Sequence, residues 1–154
     1  VVEQTPSVNY QTHVQDIGWQ TSKKMVKQPE QSINQKIRSN QIVIKIVHIL
    51  EKFRYQTHIQ DIGWQDWKSN GALSGTVDQS KRLEAIKIKL TGEMADKYDI
   101  YYRVHAQDYG WLGWAKNGSS AGTEGLSKRL EAIEVMLVNK GEKAPGNTSN
   151  SFIK

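Results

Sequence analysis

The chain contains no cysteine. That excludes a disulfide framework, a thiolate nucleophile and any Cys-based zinc or iron–sulfur site, although it does not fix the compartment. No run of residues approaches the eighteen apolar positions that a membrane-spanning helix needs. Walker and Rossmann patterns are absent. So is any His-x-x-x-His pair that could nucleate a metal site. Val1 opens the sequence without a basic-then-apolar leader, which reads as a piece of a longer or processed chain. The 154 residues are room for one ordinary domain or a short array of repeats.

Charge is unevenly placed. The chain carries Lys+Arg 21 against Asp+Glu 16, a net +5. Residues 21–53 hold seven cations and two acids, so the remaining 121 residues, with 14 of each, are neutral. Basicity confined to one segment does not make the spread footprint of a nucleic-acid binder.

Internal repetition is the dominant signal. The block Tyr10-Gln11-Thr12-His13-Val14-Gln15-Asp16-Ile17-Gly18-Trp19 recurs from Tyr55 to Trp64 and again from Tyr102 to Trp111. A second block, Trp67 to Thr76, returns as Trp114 to Thr123, and a third, Ser80 to Ile86, returns identically as Ser127 to Ile133. The histidines His13, His58 and His105 mark a period of 45 and then 47 residues. The chain divides into repeat one (8–53, anomalous over 21–53), repeat two (54–97), repeat three (98–143) and a small polar segment (144–154) that reads as a disordered tail or linker.

Each repeat reads as strands. Tyr55, Thr57 and Ile59 alternate with Gln56, His58 and Gln60, and Tyr102, Val104 and Ala106 with Arg103, His105 and Gln107, the period of a half-buried strand. Asn70-Gly71 and Asn117-Gly118 are hairpin signals, because both turn residues must take positive φ. They predict strands over about 64–69 and 72–76, followed by a fourth over 82–90. Four strands in each repeat of about 45 residues give an all-β chain. Three such units suit a body with a pseudo-threefold axis, prism-like or alternatively trefoil-like.

Residues 21–53 contain neither the second nor the third block. With suitable synonymous codons, residues 36–41 read one base later become Arg-Leu-Glu-Ala-Ile, and residues 24–31 in a shifted frame become Asn-Gly-Glu-Thr-Ala-Gly-Thr. The segment is thus read either as a frame-shifted copy or as a divergent basic insertion with a strand over 42–50. The coding DNA decides between them.

The blocks Tyr-x-Thr/Val-His-x-Gln-Asp-x-Gly-Trp, Asn-Gly-x-x-Ser/Ala-Gly-Thr and Arg-Leu-Glu-Ala-Ile resemble the ChW repeat, the clostridial hydrophobic repeat with a conserved tryptophan. The resemblance covers 8–20 and 54–143 and places the hallmark residue at Trp19, Trp64 and Trp111. It implies a secreted or cell-surface protein of a Gram-positive anaerobe, linked to other domains in a longer chain. The implied partners are cell-wall polysaccharide or a surface protein.

Several residues have both a packing and a binding reading. Trp64 and Trp111 are core wedges or sugar-stacking platforms. Trp67 and Trp114, three residues on, fall on the opposite strand face, so one indole of each pair is inside and its partner exposed. His58 and His105, with Gln60, Gln107, Asp61 and Asp108, form a polar set at a strand end. There the Asp accepts turn N–H groups, or the set binds sugar hydroxyls. Arg82 with Glu84 and Arg129 with Glu131 share parity with the apolar positions, so they pair inward unless a bulge near Ala85 or Ala132 turns them out. Equivalent acids recurring in equivalent places suit multivalent binding rather than one asymmetric active site. The expectation is a non-catalytic, carbohydrate-binding or adhesion module needing no cofactor or metal, with neither nucleic acid nor membrane insertion involved.

Overall fold

The computed structural model describes residues 7–14, 18–20, 23–26, 35–36, 42–48, 53–69 and 71–154. Among the described residues the fold is all-β apart from one short helix. Repeat one contributes β1 (Ser7–Val14), β2 (Gly18–Trp19), β3 (Lys23–Val26), β4 (Gln35–Lys36) and β5 (Ile42–His48). Repeat two contributes β6 (Phe53–Ile59), β7 (Gly63–Trp64), β8 (Lys68–Ser69) and β9 (Leu83–Leu90), and α1 (Glu93–Lys97) joins it to repeat three. That repeat holds β10 (Tyr98–Ala106), β11 (Gly110–Trp111), β12 (Ala115–Lys116), β13 (Ala121–Thr123) and β14 (Leu130–Asn139), and β15 (Phe152–Ile153) follows.

The unit is a long antiparallel pair with two short strands on its free edge. β6 lies against β9 with Tyr55 opposite Ile88 and Thr57 opposite Ile86. The Tyr55, Thr57, Ile59, Ile86 and Ile88 side chains are all fully buried, which is why this face alternates in the sequence. β10 and β14 repeat the arrangement, with Tyr102 opposite Val135 and Val104 opposite Ile133. Tyr55 and Tyr102 fill the centres of their repeats. Each ring removes about 200 Å² from water, a gross gain of about 5 kcal/mol. The two repeats share one core, in which Phe53, Ile86 and Ile88 belong to the same cluster as Tyr102, Ile133 and Val135. These strands form three sheets, and among the described residues none closes into a barrel.

The third block carries a bulge in each repeat. Ile59 faces Leu83 and His58 faces Ala85, so Glu84 is the extra residue. Glu131 is extra in the same way, between Leu130 and Ala132. The bulge brings Glu84 beside His58 on the polar face rather than into the core.

The Asn-Gly turn forms without the expected hairpin. Asn117 and Gly118 both have positive φ, and Ser119 N–H donates to Lys116 O at 3.1 Å. Yet β12 pairs with β10, while β13 leaves the repeat and pairs with β9 of repeat two. The departure rests on Gly122, at φ +126, where a Cβ would meet Glu84 O at 2.3 Å. Only a glycine lets the backbones of two repeats approach so closely. In repeat two Lys68 and Ser69 pair with Tyr55 and Arg54, Asn70 lies outside the described residues, and 72–76 shows one bridge at Ser74 instead of a strand.

In repeat one, β2 meets β1 through His13↔Trp19, the register of His58↔Trp64 and His105↔Trp111. β3 places Lys23 opposite Tyr10 as β8 places Lys68 opposite Tyr55. β5 covers β1 as β9 covers β6. The strand expected over 42–50 is therefore present as Ile42–His48. Residues 49–50, and 37–41 where the shifted frame would place the third block, lie outside the described residues.

Residues 144–154 differ from the expected disordered tail. Gly113 N–H donates to Asn150 O at 3.3 Å and Trp114 N–H to Asn147 O at 2.8 Å. β15 then runs parallel to β13, with Gly122 opposite Phe152. The polar composition hides this docking because backbone groups make it.

Candidate functional site

At the ends of β6 and β10 the chain turns through Gln-Asp-x-Gly-Trp. Ile62 N–H returns to Ile59 O and Tyr109 N–H to Ala106 O, each at 3.1 Å. Asp61 and Asp108 take φ +62 and +65, and Gly63 and Gly110 follow with positive φ. The turn folds the tryptophan back across the strand onto the histidine. His13–Trp19, His58–Trp64 and His105–Trp111 stand edge to face, with centroids 5.1, 5.4 and 5.5 Å apart. One aromatic pair thus recurs in three copies, a preferred geometry for rings that carry a quadrupole.

Charged groups surround the pairs of repeats two and three. His58 Nδ1 lies 3.3 Å from Glu84 Oε1, and Arg82 Nε lies 3.6 Å from Glu84 Oε2. In repeat three His105 Nδ1 is 3.7 Å from Glu131 Oε2 and Arg129 Nη2 is 3.5 Å from Glu131 Oε1. These contacts lack hydrogen-bond alignment, since the Nδ1 atoms of His13, His58 and His105 and the Nε of Arg82 are buried without a hydrogen bond. Arg82 with Glu84 and Arg129 with Glu131 lie within ion-pair distance. Gln60 and Gln107 lace the turn to the third block, each accepting an arginine N–H through Oε1 (Arg82 at 3.2 Å, Arg129 at 3.4 Å). Asp61 and Asp108 do not accept turn N–H groups. Their carboxylates point outward to Lys81 at 3.2 Å and Lys128 at 2.7 Å.

The tryptophans depart from the expected core wedge. Trp64 and Trp111 lie outside the buried clusters, and Trp111 is 38% and Trp19 41% exposed. The opposite-face placement fails, although its corollary of one buried and one exposed indole holds in repeat three. Arg103 Cζ lies 4.6 Å from the Trp111 ring and 5.0 Å from the Trp114 ring, so both indoles flank one guanidinium. Strand geometry ends between them, at Leu112 to Trp114, and the parity rule ends with it. In repeat three Trp111 is exposed and Trp114 buried, while in repeat two Trp64 and Trp67 are both half-buried. There Lys87 Nζ stands 4.2 Å over Trp64 and Lys89 Nζ 4.1 Å over Trp67. The cation on the Gly-Trp indole comes from the third-block strand in repeat two and from the first-block strand in repeat three, where Arg103 also holds Glu134 at 2.9 Å.

Two further features were not singled out from the sequence. Ile62 and Tyr109, the variable residue of Asp-x-Gly-Trp, are 48% and 45% exposed. Their signal was an apolar residue at one offset inside a polar turn. The second is a cleft of about 480 Å³ between repeats, lined by His58, Asp61, Ile62 and Glu84 on one side and by Glu124 and Ser127 on the other. Among the described residues no group of three or more His, Asp or Glu is placed to hold a metal ion.

Residues 58–92 and 105–139 each match the model of the family described as Clostridial hydrophobic W, or ChW. Both matches begin at the site histidine and take in the Gly-Trp edge and the third block. No curated protein and no solved structure matches the chain. The chain thus carries two copies of the ChW repeat, over residues 58–92 and 105–139.

Proposed function

We propose that the chain is a non-catalytic binding module of a secreted or cell-surface protein, and that its ligand is a glycan or cell-wall polymer held at the Gly-Trp edges. The observation that carries this reading is the threefold recurrence of one His–Trp pair whose indole is exposed in repeats one and three. A flat indole suits the apolar face of a sugar ring, and the neighbouring Lys87 or Arg103 suits hydroxyl or anionic groups on the same polymer. Weak sites repeated on one rigid body gain strength by avidity. The partnered carboxylates Glu84 and Glu131 fit a structural role better than proton transfer.

The finer architecture is a ring of three repeats about a pseudo-threefold axis, prism-like rather than trefoil-like. It draws support from equivalent seams. β13 sets Ala121 and Gly122 opposite Ile86 and Ala85, and β4 sets Gln35 and Lys36 opposite Ile133 and Ala132 at the same positions of β14.

A protein–protein interaction or adhesion role is the second reading, favoured by the exposed Ile62 and Tyr109 tips. Co-sedimentation with purified Gram-positive cell walls separates the two. Retention by the folded chain and loss in folded Trp64→Ala and Trp111→Ala variants support the wall-polymer reading. No retention by a folded chain favours the second.

A further inference from the structure

Repeats two and three differ at one pair of equivalent positions with a consequence for the sheet edge. In repeat two Gln65 Oε1 accepts the N–H of Gly75 at 2.8 Å, so the repeat satisfies its own edge. In repeat three the equivalent residue is Leu112, whose side chain joins the core. Gly122, the equivalent of Gly75, donates instead to Ser151 O at 2.9 Å. A buried N–H left without an acceptor is destabilising, so repeat three requires an incoming carbonyl.

The rest of the groove holds a turn at Ser149 and Asn150 followed by the two-residue strand β15. Four backbone donors, Gly113, Trp114, Gly122 and Glu124, meet the carbonyls of Asn150, Asn147, Ser151 and Ile153. A Cβ on Gly113 would sit 2.0 Å from Ser149 O, so the bare glycine makes room for the segment. Ile153 packs against the shared core and anchors it. Recognition by main-chain carbonyls with one apolar anchor is the chemistry of strand addition, which reads backbone first and side chains second.

We infer that this edge of repeat three is a strand-acceptor site, and that residues 147–153 of a second copy of the chain can fill it in place of the resident segment. The resident segment holds the site at the high effective concentration of a tethered ligand. Exchange between copies therefore shows when the tether is disabled. The site adjoins the indole edge of repeat three, where Arg103 and Trp111 line one pocket with Asn147, Ser149, Asn150 and Ile153.

Two full-length variants with complementary defects test this. Gly113→Ala blocks the groove and leaves its own segment free, and Gly113 is not at positive φ, so its backbone tolerates the methyl group. Ile153→Asp removes the anchor and leaves the groove open. Mixed at about 100 µM, well below the millimolar tether, the two are expected to form a 1:1 heterodimer in sedimentation velocity that neither forms alone. Two folded variants that stay monomeric when mixed overturn the proposal. If Gly113→Ala does not fold, a fluorescent peptide of residues 147–154 is titrated into folded Ile153→Asp. Saturable binding at least tenfold tighter than to the wild type supports the site, and no binding overturns it.

Discussion

Gln65 and Leu112 occupy the same place in successive repeats, and the Gln65 carbonyl does within its own repeat what a distant strand does for the repeat that carries Leu112. A single difference in side chain decides whether an edge is closed locally or by residues 147–153.

Replacing Gln65 by leucine should therefore leave the buried Gly75 N–H without an acceptor, at a cost of roughly 1–3 kcal/mol. Urea unfolding should show a lower midpoint at an unchanged slope. The reverse change, Leu112→Gln, should offer Gly122 an internal acceptor and weaken the hold on 151–153, seen as faster hydrogen exchange confined to β15.

Asp99, near the start of β10, ties that strand to the chain just past β14 through Gly141 and Lys140. Burial pushes its carboxyl up, but the Gly141 N–H, the Asn117 amide, Lys140 and Lys116 outweigh burial and hold it at about 2, below its ordinary 3.8. A lowered carboxyl contributes stability that is present above its unfolded value and is lost as pH falls through the folded one. The contribution is about 2 kcal/mol at neutral pH. Thermal melts of wild type and Asp99→Asn should differ most above pH 4 and converge toward pH 2.

The seam between repeats should be unusually sensitive at Gly122. A side chain there meets Glu84 O at 2.3 Å and Ala85 Cα at 2.7 Å, at φ +126. Gly122→Ala should cost about 3 kcal/mol or more. Gly125→Ala, at φ +76 with nothing within 4 Å, isolates the backbone penalty and should cost about 1 kcal/mol. Equal losses in denaturant melts would mean that close approach at Gly122 is unimportant.

These contrasts show what was legible in the sequence. The buried faces of β6 and β10 were, because Tyr55, Thr57 and Ile59 alternate with polar residues and no other element competes for that face. The Asn117-Gly118 turn was legible as well, since both residues need positive φ. Its hairpin was not. Ala121-Gly122-Thr123 carries no mark of which strand it will join, and its partner is 35 residues away in another repeat. At the candidate site the Gly-Trp motif pointed to the residues, but parity misplaced Trp67 and Trp114 once the chain left strand geometry. The bulge at Glu84, allowed for near Ala85, explains why a residue in phase with Ile86 meets His58 instead. The docking of 147–153 left no compositional trace, because carbonyl oxygens make its hydrogen bonds.

The central claim is that the Gly-Trp indoles act together as a multivalent edge for wall polymer. Its most direct test is the dissociation constant for purified Gram-positive cell walls, measured for wild type, for Trp19→Ala, Trp64→Ala and Trp111→Ala singly, and for the triple variant. Far-UV circular dichroism and melting temperature confirm folding in each. The account predicts a several-fold loss for each single variant and a loss of about 100-fold or more for the triple, because linked weak sites multiply. A folded triple variant that binds walls as tightly as wild type would contradict it.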